Sequence, residues 1–136
     1  MKLTSFFGYR IHPLTGSSKF HLGIDLSARQ DTVMSILGGR VQSVGYISGL
    51  GITLKIAHGD GLLTIYGHLS RLFLIKGDTV LAGQAIGITG RTGKVTGEHL
   101  HFEVIFKRHP INPLHFLKAI ATGANTNRSM NLKFKP

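Results

Sequence analysis

The sequence contains no cysteine. Disulfides and thiolate metal sites are therefore excluded, and any metal must be held by His, Asp or Glu. The missing cysteines do not identify a compartment. Acidic residues are scarce. Six Asp and Glu stand against sixteen Lys and Arg, a formal charge of +10. That balance suits an anionic partner such as nucleic acid, a membrane surface or an acidic cell wall. The basic residues form no block of five or six, and exposed aromatics are not interleaved with them. This argues against a nucleic-acid groove. No apolar run approaches the roughly 20 residues of a membrane helix. The opening "MKLTSFFGYRIHP" has neither an apolar signal-peptide segment nor a cleavage site. Either the chain belongs to a longer one, or it leaves the cell by another route, or it acts inside.

What is present suits one domain of 136 residues with a real apolar core, since 42% of residues are hydrophobic. Eighteen glycines punctuate short β-branched runs. "TVMSIL" (32–37), "RVQSVGYI" (40–47), "ITLKIAH" (52–58), "LLTIYGHL" (62–69) and "LHFEVIF" (100–106) read as strands. "GG" (38–39), "GDG" (59–61) and "KGD" (76–78) read as turns. No long helical period appears, so the expected class is all-β, a small antiparallel sandwich or split barrel. "NPLHFLKAI" (112–120) reads as a short helix. The expected organisation is one domain over 1–120 and a basic, loose tail over 121–136.

Eight histidines are too many for all to be functional. "GEHLHFEV" places His99 and His101 two apart. On a strand both imidazoles project to one face. The spacing leaves open whether both bind metal, one binds and one carries protons, or neither does. Glu103 has the same parity, as an orienting partner for an imidazole or as an exposed strand residue. "HLGID" supplies His21 and Asp25. With one of the H-x-H pair they would make a three-ligand zinc site that keeps a position for water. "TIYGHLS" adds His68, which parity places on the same face as Tyr66. His58 is expected to be structural, and His109 and His115 to lie at the surface.

In order, "FGYRIHPLTGSSKFHLGIDLSA", "HGDGLLTIYGHLS", "KGDTVLAGQAIGITGRTG" and "GEHLHFEV" resemble the lysostaphin/LytM-type zinc metallopeptidases from about Ser5 to Leu117. The resemblance implies a zinc-containing groove across one sheet. It implies one Zn2+ ion on His21, Asp25 and His101, with His99 catalytic and His68 its partner. The implied substrate is the stem or cross-bridge peptide of bacterial peptidoglycan, and the implied location the periplasm, cell wall or exterior. Arg10 and Tyr66 are candidates for substrate contact. Nucleic acid is not an expected partner, and a monomer is favoured. Where relatives usually have a small residue or proline, this chain has Glu98, expected in solvent. The competing readings are a non-catalytic wall-binding or amidase-regulating module of the same fold, and a biotinyl- or lipoyl-type carrier. The carrier needs a modifiable lysine in a tight turn, and Lys94 has a poor context for one.

Overall fold

A computed structural model describes residues 1–11 and 16–122. The tail from 123 onward and His12 lie outside the described residues, as does the side chain of Arg10. In chain order the strands are β1 (Lys2–Ser5), β2 (Gly8–Ile11), β3 (Ser18–His21), β4 (Ile24–Ser27), β5 (Thr32–Met34), β6 (Gly39–Ile47) and β7 (Gly51–Gly59). They continue with β8 (Leu62–Leu72), β9 (Thr79–Val80), β10 (Ala85–Thr89), β11 (His99–Phe106) and β12 (His109–Ile111), then helix α1 (Pro113–Ala121). Every pairing is antiparallel. The main sheet runs β1-β4-β11-β8-β7-β6-β9, while β2 and β3 form a separate hairpin. The expected all-β antiparallel class is the one observed. Among the described residues no helix is long and apolar enough to cross a membrane.

The long strands arise where β-branched and aliphatic residues alternate between turns that accept positive φ. The β7–β8 turn uses Asp60 (φ 53°) and Gly61 (φ 83°), the left-handed pair that matches the twist of a hairpin. The core gathers the inward rows: Ile24, Leu54, Ile56, Tyr66, Leu69, Ile86, Phe102 and Val104 are almost fully enclosed. Helix α1 starts where Asn112 Oδ1 accepts from Leu114 N at 3.0 Å and Pro113 sets the first turn. It buries Phe116 and lies against β11.

Strand β8 is the one that divides the sheet. Along one edge it pairs with β7. Along the other it pairs with β11 up to Gly67 and with β10 from Leu69. The strand therefore changes neighbours at His68, and the sheet splits there.

His58 is structural, as expected. It is buried; its Nδ1–H donates to Gly38 O at 2.7 Å and its Nε2 accepts from Thr64 Oγ1 at 2.7 Å. Burial pushes its pKa down, and the bond to the Gly38 carbonyl only partly offsets this. Below about 6.5 the unfolded chain then holds a proton on His58 that the folded chain does not. Stability is expected to fall as pH drops from 7 to 5, and to fall less steeply in His58→Gln. Urea midpoints across that range check this, and equal slopes would refute it.

Candidate metal centre

The centre is assembled by strand register. On β11, His101 lies opposite Asp25 of β4 on one side and Gly67 of β8 on the other. His99 lies opposite Ser27. Directly paired residues share a face, so Asp25, His99 and His101 project together. Glu103 continues the row and is buried.

His21 arrives from the end of β3, and only Leu22 and Gly23 separate it from β4. Gly23 presses flat on β11. A methyl there would collide with the Phe102 carbonyl and come within 2.8 Å of Glu103 Cγ. Glycine is thus what lets Asp25 reach His101. Gly23→Ala is expected to cost about 1–3 kcal/mol of stability and to weaken zinc binding. Thermal unfolding and a chelator competition measure the two effects; wild-type values for both would show that the close approach is dispensable.

His68 reaches the same face by a different route. Strict alternation would put it with Tyr66, on the core side. Instead, two residues of β7 (Ile52 to Leu54) span three of β8 (Leu69 to Tyr66), which is a β-bulge. His68 sits in it with φ 59°. A left-handed residue costs about 1–2 kcal/mol when it carries a side chain, and bulges commonly re-aim side chains next to functional sites. The bulge turns His68 away from the core, and its ring meets His99 with centroids 4.7 Å apart.

Tyr66 stays behind. It is 1% exposed and packs on Phe102 with ring centroids 5.3 Å apart. The shared face expected for Tyr66 and His68 does not exist, because the bulge lies between them. Tyr66, the candidate for substrate contact, thus lies buried on the core side and not on the face of the imidazoles. Glu98 differs from expectation as well. Its Oε2 accepts from Gln30 N and from Thr89 Oγ1, the latter at 2.9 Å. It ties two loops together and is not a freely solvated side chain.

Hydrogen bonds fix the tautomers. A carbonyl only accepts, so the ring nitrogen facing it must carry the proton. His21 Nδ1 donates to Phe6 O at 2.9 Å, His68 Nδ1 to Thr92 O at 2.8 Å, and His99 Nδ1 to Gly97 O at 3.1 Å. Each of these rings keeps an Nε2 lone pair when neutral. His101 is reversed. Its Nε2 donates to Glu103 Oε2 at 2.8 Å, and its Nδ1 faces Asp25 Oδ1 at 2.8 Å. His21 Nε2 lies 3.4 Å from Asp25 Oδ2, and His99 Nε2 lies 3.8 Å from Oδ1.

The charges are correspondingly shifted. Burial opposes ionisation of Asp25, but hydrogen bonds from His101 and His21 and their proximity hold its carboxyl well below the usual range. Burial also opposes a charged His101, yet its bonds to Asp25 and Glu103 outweigh this and raise its pKa to about 9. For His68 burial dominates and lowers the pKa. The Thr92 carbonyl pulls the other way, and neighbouring His99 adds to the lowering. His68 is therefore a neutral base near pH 7.

Donor atoms of His21, Asp25 and His101 all lie within 4.8 Å of one another. Two imidazoles and a carboxylate are the donor set that zinc takes in sites with an open position. The Glu103–His101 bond is the carboxylate–histidine support that such ligands usually have. The residues fit the ion.

Residues 19–113 match Peptidase family M23. The chain belongs to that family. Peptidases of this family depend on zinc. The DD-carboxypeptidase/endopeptidase Mpg of Neisseria meningitidis serogroup B is 39% identical to this M23 chain over 114 residues, 83% of the chain and 26% of Mpg. A zinc-containing peptidase from Vibrio cholerae superposes with a TM-score of 0.77 at 35% identity, covering 82% of this chain and 35% of that one. Lysostaphin from Staphylococcus simulans gives 0.77 at 31% identity, covering 90% and 51%. The M23 chain thus corresponds to part of the length of each.

Parity brings His99, His101 and Glu103 together correctly. The carbonyls of Phe6, Thr92 and Gly97, which set three tautomers, escape it because a main-chain group leaves no mark in the residue alphabet.

Proposed function

We propose that this chain is a zinc-dependent endopeptidase that hydrolyses peptide cross-links of bacterial peptidoglycan. The observation that carries the reading is the convergence of His21, Asp25 and His101 beside two further imidazoles, His68 and His99. His21 through Nε2, Asp25 through its carboxylate and His101 through Nδ1 would hold one zinc ion. When bound, zinc lowers the pKa of water to about 7 and polarises a carbonyl.

The chain's own residues do the rest. Glu103 keeps the His101 Nε2 proton in place, so Nδ1 is the coordinating atom. His68 and His99 each direct Nε2 away from their carbonyl anchors. One accepts a proton from the attacking water while the other stabilises the developing oxyanion, and a proton then passes to the leaving amine. Such steps typically supply about 10²–10⁴-fold. The charge of +10 favours approach to an anionic wall, and the site of action is outside the cytoplasmic membrane. The catalytic domain takes in α1, which runs one residue past the expected boundary to Ala121 with Thr122 as its cap.

Purified peptidoglycan is incubated with the protein, and released muropeptides are read by mass spectrometry. New amino groups are expected, and none after chelation. Peptidoglycan that is bound but left uncut would overturn this reading in favour of a wall-binding module.

A further inference from the structure

The loop between β10 and β11 lies against the bulge of β8, and one residue of it, Thr92, bonds to His68, Leu69 and Ile52. Thr92 O accepts the His68 Nδ1 proton at 2.8 Å. Thr92 Oγ1 accepts from Ile52 N at 3.0 Å and donates to Leu69 O at 2.6 Å. Ile52 and Leu69 are the first pair of the β7–β8 ladder beyond the bulge. The hydroxyl therefore bridges the two strands where their regular pairing is interrupted. His68 N completes the arrangement by donating to Leu50 O at 2.6 Å.

The surroundings leave Thr92 little freedom. A methyl on Gly51 would lie 2.5 Å from Thr92 Oγ1, and one on Gly93 would lie 2.5 Å from Gly51 N and 2.6 Å from Gly49 O. Both glycines have positive φ, 71° and 80°. Lys94 N bonds to Gly49 O at 2.9 Å. The β6–β7 turn and the β10–β11 loop are thus clasped main chain to main chain, with Thr92 between them and His68 below.

We propose that Thr92 is a positioning residue for His68: its hydroxyl locks the bulge, and that lock holds the carbonyl that fixes the imidazole. The feature that matters is the hydroxyl, not the size of the side chain. A left-handed histidine has lower-energy alternatives, so it persists only where its surroundings over-determine it. Catalytic groups tolerate little misplacement; an error of 1 Å can cost about 10²-fold. Valine at 92 keeps the shape and removes both side-chain bonds. Serine keeps both bonds and loses a methyl.

The catalytic part of this inference rests on the proposed role of His68, whereas the positioning part does not. The tests separate them. Nitrogen-15 spectra of His68 in the zinc-loaded protein are expected to show a single Nδ1-protonated form in the wild type and in Thr92→Ser, and a mixture in Thr92→Val. This readout holds whether or not the protein cuts peptidoglycan. On peptidoglycan, Thr92→Val is expected to lose about 10–100-fold in kcat with zinc content and KM little changed, and Thr92→Ser to stay within about threefold of wild type. In a His68→Ala background, Thr92→Val should cost nothing further, because the two act as one unit.

A wild-type His68 spectrum in Thr92→Val would overturn the proposal. So would a Thr92→Ser variant as impaired as Thr92→Val, or a further tenfold loss in the double variant. Should Thr92→Val fail to fold, Thr92→Cys, close in size with a weakly bonding thiol, is compared with Thr92→Ser in the same way. Equal spectra and equal kcat for that pair would also refute it.

Discussion

Zinc content is expected to fall to background in His101→Ala, and turnover to fall with it. His101 sits between two carboxylates, with Asp25 Oδ1 on Nδ1 and Glu103 Oε2 on Nε2, both at 2.8 Å. Deleting the ring removes one of three donors and also leaves Glu103, buried in the sheet, without its partner. A buried carboxylate left without a partner is costly to keep in the fold. The variant therefore suffers twice, through coordination and through local stability. Glu103→Gln separates the two. It keeps three donors and weakens only the support, so its zinc affinity is expected to drop by about 10–100-fold. Metal analysis after dialysis, with a chelator competition for Glu103→Gln, gives both values. Normal zinc in His101→Ala would sink the ligand assignment.

Alanine at His68 or His99 is expected to do the opposite: zinc stays while turnover drops by about 10²–10⁴-fold in each variant. Neither ring belongs to the group of converging donor atoms. Both are tied by Nδ1 to a main-chain carbonyl, so both present the nitrogen that can take a proton. Burial keeps His68 neutral, the form a base requires. The paired variant should be little worse than the more damaged single one, because residues acting on one transition state are not additive. Zinc content and kcat on peptidoglycan are measured together. Loss of zinc from His68→Ala would move that residue into the ligand set. Full turnover would remove it from catalysis.

Much of this site is legible along β11, because His99, His101 and Glu103 obey the two-residue period of a regular strand. The β8 contribution is not. "TIYGHLS" looks regular, and parity assigns Tyr66 and His68 to one face. A bulge is set by the neighbours that clasp it, here Leu50 and Thr92, which lie far off in sequence. The long strands β6, β7, β8 and β11 are legible because each carries enough apolar residues to display a period. Strands β1 to β4, β9, β10 and β12 have two to five residues each, too few for any period to emerge; β4, β9, β10 and β12 form on the edges of longer strands, β1 adds to β4, and β2 and β3 pair only with each other. The tie made by Glu98 is hidden for a related reason. Its partners are Gln30 N and Thr89 Oγ1, and nothing next to it in the chain announces them.

The anchoring of His21 and His99 by the carbonyls of Phe6 and Gly97 has a practical consequence. A side-chain substitution leaves the carbonyl in the chain, so the residue at either anchor can be changed while the acceptor remains. Phe6 is 66% exposed beside the metal centre. Position 6 can therefore be varied widely without removing the acceptor that steadies the His21 imidazole, since that acceptor belongs to the backbone.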